Sequence, residues 1–587
     1  MDLNSLISSE VKKAADSLFG YKGEIQLQPI GSGFEGTHTV VCFPISKAAK
    51  KSPEQTATLI GENLNKDIVA GFQVVKGFLN LTINDRQWLK AFHEIHNNKN
   101  YGTLPSNGLE IMVEYSSPNT NKPLHLGHLR NNFLGWSVSA IYEANGYKVH
   151  KVQIINDRGI HICKSMAAWK LFGNGETPQT SGMKGDHLVG KYYVEFDKQL
   201  KLQRKEFSNL PDADAEKQTP IMKLASEMLI LWEAKDPETV NLWKTMNGWV
   251  YEGFEKTYQR MGVDFEKLYY ESDTYLLGKE EVLKGVESGV FFRKDDGSVW
   301  VDLTKDGLDQ KVLLRADGTS VYMTQDIGTA ILRFRDFPKI SRQVYTVGNE
   351  QEYHFKVLFL ILGKLGYSWA KECYHLSYGM VDLPTGKMKS REGTVVDADD
   401  LMQEMADEAE KQTRELGKVD EIDEAQANDL FEMIGIGALK YFLLKVDPKK
   451  RMMFDPAESI QLQGHTGPFI QYTHARIKAL LRKAETMSLD ADMSSVTSIG
   501  QAERDVLFLI TQYPQKLAEA AREYAPSVIA NYAYELAKTY NQFYQSIPIF
   551  AETDQAKLKF RIAFSSVVAD LLKKSMWLLG IRVPEKM

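Results

Sequence analysis

The spacing of apolar and polar residues changes along the chain and predicts three regions of different structure. Residues 1–105 begin with an amphipathic helical pattern and continue with β-rich runs at 39–43 and 77–83, around a helical run at 57–65. This mixture is typical of a small α+β module. The sequence leaves the role of the module open between a stabilising cap and a contact surface for a large substrate.

Apolar strand-like runs alternate with helical runs in residues 109–450, which predicts a Rossmann-type, doubly wound parallel sheet. The stretch at about 172–280 is helical in pattern and breaks the alternation, so we expect a helical insertion between the two halves of the sheet. Residues 455–587 are almost wholly helical in pattern and predict an all-α domain. The expected fold class is therefore multidomain α/β. The predicted strands of the sheet are 111–115, 149–155, 343–347 and 374–381.

The composition indicates the kind of cellular compartment but does not identify the function. The chain has 587 residues, 43% hydrophobic and 25% charged, and no uncharged apolar run approaches the ~20 residues that cross a bilayer, so we expect no membrane span. Cys42, Cys163 and Cys373 are far apart, which favours a reducing cytoplasm over a disulfide scaffold or a structural metal. The net charge of −6 does not decide whether nucleic acid binds, because phosphate contacts depend on local charge.

The strongest chemical signal lies in residues 113–131, where a β-rich run enters a Pro/Asn turn and leaves into a predicted helix. His125 and His128 are three residues apart, so they share one face of the first helical turn, and Gly127 between them leaves room for a ligand. Imidazole donors at a helix N-terminus suit the phosphates of ATP. The alternatives are two capping histidines or a metal pair. Zinc needs a third protein ligand, and no spacing provides one.

A second basic segment, residues 386–394, follows a strand-like run and has glycines at both ends. Lys387, Lys389 and Arg391 supply positive charge for a pyrophosphate leaving group. The alternative is a solvated hairpin tip, as charge runs usually are. The order of the two motifs, about 260 residues apart, fits a catalytic fold built from two halves.

These motifs resemble the signatures of class I aminoacyl-tRNA synthetases, and the residues from Glu114 to Asn119 resemble one family among them, the arginyl-tRNA synthetases. The basic segment resembles the Lys-Met-Ser-Lys signature, with serine and lysine exchanged at positions 389 and 390. In that family a lysine shortly before the histidines compensates for such changes, and Lys122 stands there. The sequence does not decide which residue contacts the phosphates: Lys122, Lys389 or Arg391.

The resemblance implies two sets of residues around ATP. One set consists of catalytic groups, and the other binds the nucleotide. The catalytic set is His125, His128, Lys122, Lys389 and Arg391. The ATP-binding set is His125, Gly127, His128, Lys387, Met388, Lys389 and Ser390.

The resemblance also implies a pocket for arginine, whose planar guanidinium needs carboxylates and neutral acceptors. Residues 322–328 resemble the family's Tyr-x-Thr-x-Asp segment, and Gln351 matches a glutamine after its fourth strand. The alternatives are helix capping for Asp326 and surface exposure for Glu114. The implied arginine-binding set is Glu114, Ser117, Asn119, His125, Tyr322, Asp326 and Gln351.

By resemblance, the function expected is activation of L-arginine with ATP and Mg²⁺ to arginyl-adenylate and its transfer to tRNA(Arg) in protein synthesis. The family's habits imply a monomer, no structural metal, a requirement for tRNA before activation, an N-terminal domain at the tRNA elbow and a helical anticodon-binding domain. One rival is an RNA-binding protein of the same fold without catalysis. The other is a class I synthetase for another amino acid, such as cysteine or glutamine.

Aromatic residues recur at helical spacing in the last region of the chain, with Arg476 and Lys538 nearby. Two interpretations fit these residues: they stack on unpaired bases, or they fill the core of a helical bundle. The helical spacing favours the core. The residues in question are Tyr532, Tyr540, Phe543 and Tyr544.

Overall fold

The computed structural model describes residues 3–30, 34–384, 396–415, 423–489 and 496–587. Among these residues, no helix is both long and apolar enough to cross a membrane. The chain forms three regions in the predicted order: a mixed α/β region, a parallel sheet flanked by helices, and a helical region.

The N-terminal region is a four-stranded antiparallel sheet, ordered β1-β2-β4-β3, packed against four helices. The strands are β1 (Leu27–Pro29), β2 (His38–Val41), β3 (Val69–Val75) and β4 (Phe78–Ile83). The helices are α1 (Leu3–Phe19), α2 (Phe43–Ala49), α3 (Pro53–Glu62) and α4 (Asp85–Asn97). The predicted strand at 39–43 is wrong at its end: Cys42 is the N-cap of α2, because Pro44 favours a first helical turn over a strand ladder.

The middle region contains a five-stranded parallel sheet, a separate three-stranded antiparallel sheet and a two-stranded pairing. Its strands are β5 (Glu110–Glu114), β6 (Lys148–Ile155), β7 (Lys267–Tyr270), β8 (Phe292–Arg293), β9 (Val299–Val301), β10 (Lys311–Leu314), β11 (Ile340–Gly348), β12 (Cys373–Tyr378), β13 (Val381–Asp382) and β14 (Met452–Met453). Its helices are α5 (Leu126–Ala144), α6 (Ile160–Phe172), α7 (Pro178–Ser181), α8 (Gly185–Arg204), α9 (Asp212–Gln218), α10 (Pro220–Glu233), α11 (Pro237–Met261), α12 (Glu271–Thr274), α13 (Gly278–Glu287), α14 (Tyr322–Asp336) and α15 (Glu352–Lys364).

The parallel sheet has the order β12-β11-β5-β6-β7, so the chain moves outward from β5 in one direction and from β11 in the other. This doubly wound arrangement confirms the predicted fold class. In such sheets ligands bind at the carboxyl ends of the strands, where the order reverses. In this sheet the order reverses between β5 and β11. Glu114 is the last residue of β5 and therefore lies at this point.

Two predictions about the sheet are wrong. The run at 374–381 does not form one strand: β12 stops at Tyr378, and β13 pairs with β14 instead. The stretch expected to be all insertion contains β7, which joins the edge of the sheet beside β6. A four-residue edge strand carries too little apolar pattern to be detected from sequence.

The C-terminal region is a helical bundle that packs against α5 of the sheet region. Its helices, with two that lead into it, are α16 (Ala398–Glu415), α17 (Glu424–Leu444), α18 (Pro456–Ser459), α19 (Gly467–Thr486), α20 (Gln501–Glu523), α21 (Pro526–Ser546) and α22 (Gln555–Leu578). Ser137 of α5 donates a hydrogen bond to the carbonyl of Leu578 at 2.6 Å. Helix α5 is therefore anchored directly on the bundle.

The aromatic residues at helical spacing divide by position. Three of them are buried in the bundle core: Tyr532, Tyr540 and Phe543. Tyr544 is 37% exposed, and the guanidinium of Arg476 lies 5.5 Å from its ring centre. The core interpretation favoured by the spacing therefore holds for these three residues.

Candidate active site

The turn between β5 and α5 arranges His125 and His128 through hydrogen bonds within the turn itself. His125 is the N-cap of α5; its Nδ1 accepts from the backbone N–H of Gly127 at 3.2 Å. In return, the Nδ1 of His128 accepts from the backbone N–H of His125 at 3.1 Å. The ring centres lie 3.9 Å apart. The capping alternative is thus correct for the two Nδ1 atoms, and it also fixes how the rings point.

These hydrogen bonds determine the tautomer of the two imidazoles, and burial keeps both rings uncharged. Because each Nδ1 accepts, the tautomer assigned to each neutral ring carries its proton on Nε2. Burial, with a smaller contribution from the charge of Lys122, lowers the pKa of His125 to about 4. Burial likewise lowers the pKa of His128 well below its usual value. At neutral pH the turn therefore presents two uncharged N–H donors, which suits the stabilisation of phosphate oxygens.

Lys122 lies close enough for its charge to lower the pKa of both histidines. Burial lowers the pKa of Lys122 itself. Helix α8 passes tightly beside this residue, since a Cβ on Gly190 would come within 2.9 Å of Pro123 and 3.6 Å of the Lys122 Cα. Lys122 is thus a half-buried ammonium group beside the imidazole pair.

A short segment from the far half of the sheet region pairs with the histidine turn. The N–H of Leu126 donates to the carbonyl of Val396 at 3.1 Å, and the N–H of Ala398 donates to the carbonyl of Leu124 at 2.9 Å. Asp397 forms an antiparallel bridge with His125 between these two bonds. The basic segment precedes this pairing directly in the sequence. Its predicted residues Lys387, Met388, Lys389, Ser390 and Arg391 lie outside the described residues.

Glu114, predicted to bind arginine, is buried at the end of β5, with 4% of its surface exposed. The surface-exposure alternative is therefore wrong. Its carboxylate forms an ion pair with the guanidinium of Arg333 from α14, which is also buried. Burial raises the pKa of Glu114, the charge of Arg333 opposes this, and the charge of Asp326 adds to it. Through Arg333, Glu114 contacts α14, the helix that also carries Asp326.

Asp326 and Tyr322 lie one turn apart on the first turns of α14. The helix N-cap is Val321, so the capping alternative for Asp326 is wrong. One oxygen of the Asp326 carboxylate lies 2.5 Å from the Nε2 of His354 on α15. Tyr322 is 78% exposed, and Gln351 is exposed just before α15. These side chains are therefore accessible from solvent, whereas Glu114 is buried.

Ser117 and Asn119 lie in the turn that follows β5, beside the end of β6. The side-chain amide of Asn156 donates to the carbonyl of Ser117 at 3.2 Å, and Asn119 forms a parallel bridge with Asn156. Asn119 is exposed. The turn is therefore held by the next strand.

Glu271, which the sequence interpretation missed, adds a third acid at this edge of the sheet. It directly follows β7, whose Tyr270 pairs with Ile155. Burial raises the pKa of Glu271 to about 7; the charge of Arg158 opposes the rise, and the charges of Asp157 and Asp326 add to it. An acid next to the carboxyl end of a strand, as Glu114 is, was the available signal, but β7 was not recognised.

Two further residues missed from sequence hold the ends of the strands together. Asn131 accepts from the N–H of Ser116 at 2.6 Å and donates to the carbonyl of Thr346 at 2.7 Å, which links β5 to β11. Ser116 has φ +62°, a left-handed conformation that this hydrogen bond helps to stabilise. Buried Arg130 donates to the carbonyl of Gly379 at 2.7 Å.

The parallel sheet and the two imidazoles at its switch point define a class I aminoacyl-tRNA synthetase. The family described as tRNA synthetases class I (R), catalytic domain, matches residues 93–455. The Arginyl tRNA synthetase N terminal domain matches residues 1–83, and the DALR anticodon binding domain matches residues 470–587. The chain belongs to the arginyl-tRNA synthetase family.

Arginine–tRNA ligases of other organisms match this chain over nearly its whole length. An arginine–tRNA ligase of Amoebophilus asiaticus is 53% identical over 597 residues, with 100% of both chains covered. One of Bacteroides thetaiotaomicron is 54% identical over 571 residues, with 96% of both covered. The solved Thermus thermophilus arginyl-tRNA synthetase has a TM-score of 0.80 at 22% identity, covering 99% of this chain and 100% of that one. This structural likeness concerns the fold.

Proposed function

We propose how the residues of this arginine–tRNA ligase divide its reaction between two sides of one site. The enzyme activates L-arginine with ATP and transfers it to tRNA for protein synthesis. The observation that carries the division is the burial of Glu114 at the end of β5, the strand that leads into the histidine turn. There Glu114 forms an ion pair with Arg333 of α14, the helix that also carries Asp326. Family membership leaves no support for a cysteine- or glutamine-specific synthetase or for a non-catalytic protein.

On the phosphate side, the Nε2–H groups of His125 and His128 donate to the phosphate oxygens of ATP as negative charge develops on them. The arginine carboxylate attacks the α-phosphorus, the bond to the β-phosphate oxygen breaks, and pyrophosphate leaves. Lys122 supplies a nearby positive charge, together with Lys389 or Arg391 from the basic segment. Gly127, Lys387, Met388 and Ser390 complete the ATP-binding set as the family resemblance implies. No covalent enzyme intermediate is required.

On the amino-acid side, Asp326 and Glu271 contact the guanidinium, with Tyr322 and Gln351 at the rim. Ser117, Asn119 and His125 contact the α-amino and carboxylate groups. Glu114, already paired with Arg333, adds negative potential at the base. A planar cation with five donors matches acids that approach from separate elements.

We propose that Mg²⁺ enters with ATP, bound chiefly by its phosphates. Mg²⁺ in such sites retains waters and takes only one or two protein carboxylates. In the described part of the chain, Asp186, His187 and Asp399 have ligand atoms close enough together to hold a metal ion. Lys184 already places an ammonium group there, 3.2 Å from Asp186 and against Asp399, so this group does not fit a structural metal.

The tRNA partner is tRNA(Arg), read by the helical domain (residues 455–587) and touched at its elbow by the N-terminal domain (1–105), with catalysis in residues 109–450. We further propose a monomer that acts in the cytoplasm. Cys42, Cys163 and Cys373 are buried free thiols, which fits a reducing compartment.

Pyrophosphate exchange into ATP tests the proposal, measured with each amino acid, with and without total tRNA. We expect exchange only when arginine is the amino acid, and only when tRNA is present. Exchange that depends on another amino acid, or that persists without any, would contradict the proposed specificity.

A further inference from the structure

A polar cluster behind the histidine turn has no part in the chemistry described above. It joins the helical insertion to the start of α16, the helix that follows the basic segment. Lys184 stands at the N-cap of α8 and forms an ion pair with Asp399. Thr257 of α11 lies between them: its hydroxyl is 2.5 Å from the Lys184 ammonium and 3.0 Å from the Asp399 carboxylate.

The cluster also includes His187, whose Nε2 lies 3.2 Å from Asp399 and 3.5 Å from Asp397. Asp397 accepts from the N–H of Asp399 at 2.7 Å and so caps the first turn of α16. Two neighbouring acids at one helix start are thus bound by a lysine, a histidine and a threonine from the insertion. The ammonium group of Lys184 is the central positive charge, which leaves no reason to place a metal ion there.

Helices α8 and α11 of the insertion pack closely beside this contact. A Cβ on Gly253 would come within 2.3 Å of the Asp186 carboxylate, and one on Gly185 within 2.0 Å of the Trp249 carbonyl. Helices α8 and α11 therefore approach at backbone distance where Lys184 and Thr257 emerge. Because Gly190 of α8 also packs on Pro123, one face of α8 contacts both strands of the histidine pairing.

Of the acids held by this cluster, Asp397 lies in the pairing that supports His125, and Asp399 follows just after it. Asp397 bridges to His125, while the neighbouring Val396 and Ala398 make the two backbone hydrogen bonds to Leu126 and Leu124. A displacement of this segment therefore moves the N-cap on which the imidazole directions depend.

We infer that Lys184, Thr257 and Asp399 are positioning residues for adenylate formation, which hold the segment 396–398 against the histidine turn. This inference rests on the proposed role of His125 at the phosphates. A misplacement of reacting groups by about 1 Å can lower a rate by as much as 10²-fold. The expected loss thus falls chiefly on turnover and changes arginine binding little, since the acids proposed to hold the guanidinium lie on other elements.

The test uses the full chain with Asp399→Asn, which keeps the side-chain shape and removes the charge that pairs with Lys184. We expect kcat for arginine-dependent pyrophosphate exchange to fall about 10- to 100-fold, with KM for arginine within about twofold. Hydrogen exchange at the Leu126 and Ala398 amides, followed in peptides by mass spectrometry, should become faster. Lys184→Met should reproduce both effects, and Lys184→Arg, which keeps a cation, should restore most of the turnover.

The matched control is Lys191→Met, on the same helix. Lys191 pairs with Glu176 at 2.7 Å, away from the segment 396–398, so neither turnover nor exchange at Leu126 should change. The double variant Asp399→Asn with Lys184→Met should be no worse than the more impaired single variant, because both remove one interaction. If Asp399→Asn does not fold, Lys184→Met and its Lys184→Arg rescue carry the same test.

His125→Ala separates this inference from the function on which it rests. If His125→Ala lowers kcat while Asp399→Asn and Lys184→Met leave kcat and amide exchange unchanged, the positioning role is overturned. A fall in kcat without faster exchange at Leu126 and Ala398 also overturns it. If His125→Ala itself leaves kcat unchanged, the proposed phosphate role of His125 fails instead.

Discussion

His125 and His128 are held by hydrogen bonds within one continuous turn, whereas the acids of the proposed arginine pocket, Glu114, Asp326 and Glu271, belong to β5, α14 and the end of β7. The phosphate side is thus built mainly by local backbone geometry. The arginine side is built by tertiary packing of separate elements. Single substitutions should therefore affect the two sides differently: those in the turn change the rate, and those in the pocket change binding or stability.

The electrostatics of the two sides also differ. Burial lowers the pKa of both histidines and so keeps them uncharged. Burial raises the pKa of Glu271 to about 7, so this carboxyl group is only partly ionised at neutral pH until a cation arrives. The phosphate side is thus ready to donate before substrate binds, while the arginine side gains full charge when the guanidinium enters.

The largest effect is expected from Glu114→Gln, which leaves the buried guanidinium of Arg333 without its carboxylate. Removing one partner of a buried pair costs about 3 to 5 kcal/mol of folding free energy. A urea unfolding curve should show a much lower midpoint, and adding Arg333→Met should restore part of it. An unchanged midpoint would mean that this base of the pocket is not an ion pair in solution.

His128→Ala should lower kcat of arginine-dependent exchange by about 10²- to 10³-fold, the usual cost of one donor to a developing negative charge. KM for arginine should stay within about twofold, because the pocket acids are untouched. Steady-state kinetics in the presence of tRNA measure both quantities. Equal losses in kcat and in arginine binding would contradict the separation of the two sides.

Asp326→Asn should raise KM for arginine about 10- to 100-fold, because a hydrogen bond to a charged group is worth about 1.5 to 3 kcal/mol. The change in kcat should be small. Asp336→Asn is the matched control on the same helix, since Asp336 pairs with Lys267 on the edge strand. A large loss of kcat in Asp326→Asn would place this acid on the phosphate side.

The smallest effect concerns pH. The pKa of Glu271 is raised from 4.5 to about 7, so this group stabilises the fold in its protonated form and loses that contribution as pH rises through about 7. Arginine prefers the ionised form, so its affinity should rise about threefold or more between pH 6 and 8. Calorimetry should show this rise in the native chain and a flat profile in Glu271→Gln. The same pH dependence of arginine affinity in both proteins would exclude Glu271 as the group that titrates.

The same contrast explains what could be predicted from sequence. The histidine turn and the strands β5, β6 and β11 were found because their signals lie within a few consecutive residues. Glu271 and β7 were missed because a short edge strand has little apolar pattern. The partner of Glu114 could not be found either, since Arg333 meets it only after α14 packs beside β5. Lys184 and Asp399 are 215 residues apart, and only the folded chain joins them.

The most direct test of the account is a crystal structure of the full chain with a non-hydrolysable arginyl-adenylate analogue. We predict the guanidinium within about 3 Å of the Asp326 carboxylate and the phosphate mimic within hydrogen-bond distance of Nε2 of His125 and His128. A guanidinium bound away from Asp326 and Glu271, or a phosphate mimic out of reach of both imidazoles, would contradict the division of the site into two sides.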